Sequence, residues 1–232
     1  LDFLIKTEFG NACLKPENPP LQVYPNTETT LTFVSNFTDL RNATLDYSVD
    51  DWKNMTTLNM QLIDSRTCMG SIPGQPAGVT VKYKLEALDV LENVLIYNGS
   101  YSVKYRSQLN ITLKAVAFSI GENATLTGFI TPPDQNLPIT LIYTSANESL
   151  QQTVFTSANG TFTDSFKPLS EGNWVVQALF EGNSLFQESS SAHLRFRVQP
   201  PSLISQYTLH ICAGVGVVIV GMVVFYAKKR RA

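Results

Sequence analysis

The feature that most constrains this chain is a period of two. Val79, Val81, Tyr83, Leu85 and Ala87 share one phase, and Thr80, Lys82, Lys84 and Glu86 share the other. Trp174, Val176, Ala178 and Phe180 alternate with Asn173, Val175, Gln177 and Leu179. Leu194, Phe196 and Val198 alternate with His193, Arg195 and Arg197. Side chains of a strand point to opposite faces in turn, so these runs read as half-buried antiparallel strands. Turn signals separate them. Asn98-Gly99 and Asn159-Gly160 each lie between two strand-like runs, as in a tight hairpin. Pro73-Gly74-Gln75-Pro76 and Pro132-Pro133-Asp134 are further breaks.

Strands are expected over residues 21–24, 29–35, 44–49, 57–63, 67–72, 79–88 and 101–104, then over 111–117, 124–131, 139–144, 152–155, 161–166, 174–181 and 193–198. Two sets of short strands in two segments of about 90 residues suggest two tandem β-sandwiches. The expected boundaries are an N-terminal segment at 1–19, sandwiches at 20–105 and 108–198, and a Pro-containing stalk at 199–206. The four-residue joint at 105–108 is too short to allow much bending.

Residues 207–227 carry no Asp, Glu, Lys or Arg. As a helix, at about 1.5 Å per residue, they would reach roughly 30 Å, the thickness of a bilayer core. Lys228-Lys229-Arg230-Arg231 follows, and basic flanks stay on the cytoplasmic side. The fold class expected is therefore all-β, two sandwiches followed by one transmembrane α-helix, with 228–232 as a cytoplasmic stub and the remainder outside the cell. Gly214 and Gly221 are seven residues apart, on one stripe of that helix, and are candidates for helix packing. The chain begins at Leu1 rather than Met, which leaves open a removed export signal or a fragment start.

The chain holds 17 basic and 19 acidic residues. Without the four terminal cations, 13 basic and 19 acidic residues remain, a net charge of −6 with no basic cluster, which argues against a nucleic-acid partner. Asn36, Asn42, Asn54, Asn98, Asn110, Asn123, Asn147 and Asn159 each begin an Asn-x-Ser/Thr sequon without proline. With 16 Asn and 41 Ser or Thr in 232 residues, chance would give about three such sites. All eight precede the uncharged stretch, as expected of N-linked glycans on an exterior. Cys212 lies within that stretch, so Cys13 and Cys68 are the only candidate exterior disulfide pair.

Two segments resemble known modules. Gly74-Gln75-Pro76-Ala77-Gly78-Val79-Thr80-Val81-Lys82-Tyr83-Lys84-Leu85-Glu86-Ala87-Leu88-Asp89 is similar to the penultimate strand of prokaryotic, especially archaeal, fibronectin-III/Ig-like modules, with Ser48-Val49-Asp50-Asp51-Trp52 fitting an earlier strand-turn. Val90-Leu91-Glu92-Asn93 stands where such modules usually have a Gly-Asn turn. Thr125-Leu126-Thr127-Gly128, Ile139-Thr140-Leu141-Ile142-Tyr143, Ala158-Asn159-Gly160-Thr161-Phe162 and Gly172-Asn173-Trp174-Val175-Val176-Gln177-Ala178 resemble Ig-like repeats of bacterial and archaeal surface proteins. The resemblance implies tandem Ig-like domains of an archaeal-type cell-surface protein; such motifs specify architecture, not a ligand.

No catalytic motif emerges. His193 shares the phase of Arg195 and Arg197, His210 sits at the expected membrane interface, and neither has a metal ligand at a useful spacing. Asp46, Asp50 and Asp51 flank a strand end and Asp134 sits in a Pro-rich turn, where oxygen ligands can hold Ca2+, but no calcium-loop motif accompanies them. Asp164 shares the phase of Phe162 and Phe166, which leaves it either outward at a bulge or paired with an inward cation. Trp174 reads as core and Trp52 as a candidate ligand contact. The expectation is a non-catalytic membrane-anchored surface protein, structural or adhesive in the cell envelope. Its expected partners are membrane lipid, N-linked glycans and a protein at the surface or in the membrane, with no cofactor. The alternative is an accessory subunit of a larger membrane complex.

Overall fold

The structure, a computed structural model, describes residues 13–200. The chain divides into two compact units between Ser107 and Gln108, and each is built from strands. The expected span at 207–227, the stub at 228–232, Gly214 and Gly221 lie outside the described residues. Among the described residues, no helix is long and apolar enough to cross a membrane.

The first unit holds β1 (Leu14–Pro16), β2 (Thr29–Ser35), β3 (Leu40–Ser48), β4 (Thr56–Asn59), β5 (Gln61–Leu62), β6 (Thr67–Ile72), β7 (Thr80–Asp89) and β8 (Val94–Ser102). They form two open four-stranded sheets, ordered β1-β2-β6-β5 and β4-β3-β7-β8. The period-two pattern sets what is buried: Val81, Tyr83, Leu85 and Ala87 of β7 enter the core with Leu31 and Phe33 of β2 and Leu45 of β3. Phe33 meets Tyr83 edge-on at 6.3 Å and Tyr97 at 5.0 Å, so aromatic rings from both sheets fill the space between them.

Three expectations change here. The strand expected at 57–63 is two strands in different sheets: Met60 between them is buried and its N–H reaches Ala43 O at 3.0 Å. Residues 21–24 contribute a single bridge, Val23 to Val103. The hairpin expected at Asn98-Gly99 is absent, because β8 runs straight through both residues, with Gly99 opposite Tyr83. The turn lies at 90–93 instead. There Asp89 Oδ1 accepts the N–H groups of Leu91 at 2.9 Å and Asn93 at 2.8 Å.

The first unit also includes Glu181–Glu188, a segment the periodicity assigns to the second sandwich. Tyr105 N–H donates to Leu185 O at 2.8 Å, Gln187 N–H donates to Tyr105 O at 3.0 Å, and the Tyr105 and Phe186 rings lie 5.7 Å apart.

The second unit holds β9 (Gln108–Leu113), β10 (Ala117–Ser119), β11 (Ala124–Thr131), β12 (Pro138–Thr144), β13 (Ser149–Phe155), β14 (Thr161–Phe166), β15 (Gly172–Phe180), β16 (Ser189–Ser190) and β17 (Leu194–Gln199). One sheet is ordered β14-β11-β9 and the other β10-β17-β15-β12-β13, with β16 pairing β15 and β10 running parallel to β17. Trp174 is fully buried and packs on Phe166 at 5.1 Å and Phe196 at 6.3 Å, joining the two sheets.

Candidate functional site

The aspartates singled out in the sequence bond within their own turns or to neighbouring strands. Asp50 Oδ1 accepts from Ser48 Oγ at 2.9 Å and from Asn54 N–H at 2.9 Å, while Oδ2 accepts from Asn54 Nδ2 at 2.5 Å. These donors, the Asn54 backbone N–H first, hold the Asp50 carboxyl down at about 2. Asp89 repeats the device at the other hairpin, accepting from Asn93 Nδ2 at 3.0 Å and Thr38 Oγ1 at 3.1 Å. Both are Asp-x-x-x-Asn, a spacing visible in the sequence that motif-reading for metals passes over. Asp46 accepts from Thr57 Oγ1 at 2.6 Å, Asp51 pairs with Lys82, and Asp134 Oδ1 accepts from the Gln135 N–H at 2.8 Å. Among the described residues, no group of three or more His, Cys, Asp or Glu is placed to hold a metal ion.

Asp164 takes neither of its two expected positions. It faces inward without a bulge, and accepts a hydrogen bond from Tyr143 Oη at 2.6 Å rather than pairing with a cation. Tyr143 stacks on Phe166 at 4.3 Å, and burial, with Asp164 beside it, pushes its hydroxyl far above the ordinary tyrosine value. His193 is exposed, and His210 lies outside the described residues. Trp52 is 40% exposed in a turn where Asp51 and Trp52 both take positive φ, 61° and 65°.

The expected Cys13–Cys68 bridge is not formed; both are free thiols. Register gives the reason. Cys13 N–H donates to Asn36 Oδ1 at 2.7 Å on one side of β2, and Cys68 stands opposite Phe33 on the other. Two strand spacings and the stagger between Asn36 and Phe33 put them more than about 10 Å apart, against the roughly 4.4–6.8 Å a disulfide spans. Burial pushes the Cys68 thiol up to about 11, which leaves it protonated and inert at neutral pH.

What the folded chain presents outward is sequons, sheet edges and hydroxyl-rich faces. Asn42, Asn54, Asn98, Asn110, Asn123, Asn147 and Asn159 are exposed and Asn36 is half-buried. They are spread over strands and loops and do not converge on one site. Two edges stand out. β8 carries Val94 and Ile96 outward beside the exposed Val90 and Leu91 of its turn. β13 closes the larger sheet of the second unit with seven residues that include no charge and no proline, with Leu150 and Phe155 exposed. Charges and prolines are the usual guards of an edge strand. Sequence reasoning missed both edges because strand order, not local pattern, decides which strands lack a neighbour.

No protein-family model matches the sequence, and no curated protein is similar to it by sequence. Among solved structures, a tetra-tandem repeat from the extending region of a large adhesion protein is 15% identical with a TM-score of 0.40, over 82% of this chain and 50% of that one. A structure from a 1.5-MDa bacterial ice-binding adhesin that bears on host cell surface retention is 13% identical with a TM-score of 0.33, over 83% of this chain and 65% of that one. The chain thus spans less than two thirds of the length of either.

Proposed function

We propose that this is a non-catalytic, membrane-anchored cell-surface protein with a structural or adhesive role in the cell envelope, built on two Ig-like sandwiches. Strand order supports the Ig-like reading. With β1, β2, β6 and β5 taken as strands A, B, E and D, and β3, β7 and β8 as C, F and G, the first unit follows the immunoglobulin constant-type arrangement with one added edge strand. In the second unit, β9, β11 and β14 make A, B and E, facing a sheet of G, F and C extended at both edges.

The observation that carries the surface reading is the placement of the sequons. All eight precede the uncharged stretch at 207–227, and every one of their asparagines reaches solvent. The stretch and the four cations after it are of the length and order of a single-pass anchor with the N-terminus outside. Contacts would be made at the β8 and β13 edges and the loops, where unpaired backbone and exposed apolar side chains are available. The test is expression of the full chain in N-glycosylating cells. An N-terminal epitope accessible on intact cells, a glycosidase-sensitive mass and increased cell–cell or cell–matrix attachment are expected. An unglycosylated chain with its N-terminus in the cytosol rejects the proposal. The stripe of Gly214 and Gly221 favours a second reading, an accessory subunit held by its helix. A stoichiometric partner retained on gentle solubilisation, and lost on Gly214→Leu with Gly221→Leu, decides for it.

A further inference from the structure

The outward face of the β14-β11-β9 sheet is unlike the other surfaces. Register places Asn110 of β9 and Thr161 of β14 on either side of Phe129 of β11, and the next row is Thr112, Thr127 and Thr163. Beside them lies a shallow groove of about 310 Å3 lined by Thr112, Thr127, Gly128, Phe129, Thr161, Phe162 and Thr163. At its margin Phe129 leaves 47% of its surface in water, an apolar ring on a face otherwise polar and rich in threonine. Asn110 begins the sequon Asn110-Ile111-Thr112, and residues directly opposite on neighbouring strands bring their Cβ atoms to about 4.5–5.5 Å.

We propose that Phe129 is the docking surface for a glycan carried on Asn110: the first sugar ring of the chain lies across the Phe129 ring and runs along the threonine groove. A pyranose has one face of C–H bonds and a rim of hydroxyls. The C–H face meets the aromatic face, and the rim meets the hydroxyls of Thr112, Thr127, Thr161 and Thr163. β9 is an edge strand, so no further strand of this sheet lies beyond Asn110. Three other sequons are built differently. Asn98 stands opposite Lys84, Asn42 opposite Leu88, and Asn159 lies in a turn; none has an exposed aromatic directly across the ladder. The Asn110 glycan is therefore part of the fold of the second unit. This inference rests on the surface reading above.

The full chain, produced in N-glycosylating eukaryotic cells, is mapped for occupancy and trimmed to a single N-acetylglucosamine per site. Unfolding midpoints are then compared for the wild type, Asn110→Gln, Phe129→Ala and the double variant, with Phe129→Thr as a second replacement that keeps strand propensity. Expected are occupancy at Asn110, a loss of about 4 °C on Asn110→Gln, and no loss from the same change once Phe129 is gone. Equal losses in both backgrounds overturn the docking while leaving glycosylation intact. Glycans at other sites with Asn110 bare overturn it also, and a chain bare at all eight sites takes the surface reading down with it. Diacetylchitobiose is titrated into the Asn110→Gln chain. Phe129-dependent binding at micromolar concentration would make the groove a receptor for foreign sugar and overturn the assignment to the chain's own glycan; no such binding supports it.

Discussion

Asn98-Gly99-Ser100 in the first unit and Asn159-Gly160-Thr161 in the second are almost the same tripeptide in two different structures. At the second, the chain turns. Gly160 has a φ of +76°, its N–H reaches Ser157 O at 2.8 Å, and Ser157 N–H reaches Thr161 O at 2.8 Å. At the first, the chain runs straight through β8, and its glycine answers to a ring: a Cβ on Gly99 would stand 2.3 Å from Tyr83 Cζ. One glycine is needed for its backbone angle, the other for the space it leaves. In the first unit the turning is done by Asp89, whose carboxylate ties the N–H groups of Leu91 and Asn93.

The largest effect expected from this contrast is Gly160→Ala. The new Cβ would meet Ile130 O at 2.7 Å and Pro133 Cα at 2.9 Å, both backbone, at a left-handed φ. Left-handed strain and crowding together should destabilise the second unit by about 3 kcal/mol. Trp174, fully buried there, reports the second unit by fluorescence during urea unfolding. A destabilisation of less than about 1 kcal/mol, from the midpoint and its slope, would show that the turn does not depend on its glycine.

Next in size is the buried polar pair. Both units bury a carboxylate, but Asp89 of the first ties the N–H groups of its own turn, while Asp164 of the second takes a phenol from another strand, Tyr143. Tyr143→Phe removes the donor and leaves the Asp164 carboxyl buried with its lone pair unmet, a loss of about 2 kcal/mol. The same pair shapes the alkaline limb of stability. Burial pushes Tyr83 up to about 12, and Tyr143 is raised further. Both stay protonated in the folded chain when the unfolded chain begins to ionise near about pH 10, so stability is intact below that pH and falls above it. Tyr143→Phe should flatten the alkaline fall of the second unit and leave that of the first unchanged. An unchanged slope in the second unit would separate Tyr143 from the effect.

These cases define what was legible in the sequence. Alternation at 79–88 and 174–180 named the core residues of β7 and β15, because a strand with one apolar phase has only one way to face inward. It could not place Asp164, whose partner lies on another strand, nor show that Met60 hands the chain from one sheet to the other. It also missed β1, three residues held by pairing with β2 rather than by any pattern of their own. The sequons were legible one by one; that Asn110 stands opposite the exposed Phe129 depends on the register of β9 against β11. A local code says that Asn-Gly permits a turn. Whether the permission is used was settled by a tyrosine sixteen residues upstream.

The smallest effect is the most discriminating. Gly99→Ala should cost about 1 kcal/mol, since Ala is at ease in extended backbone and only the Tyr83 ring must yield. That ring is held among Phe33, Tyr97 and Tyr101, so it moves with resistance. Replacing Tyr83 by Leu removes the ring from above residue 99. In the Tyr83→Leu background the Gly99→Ala change should become neutral or slightly stabilising, because alanine restricts the unfolded chain more than glycine does. A hairpin turning at Asn98-Gly99 would respond differently. There the alanine would be penalised for its backbone angle, and the penalty would persist whatever stood at position 83. Denaturant midpoints of the four chains in this cycle distinguish a glycine kept for space from a glycine kept for φ.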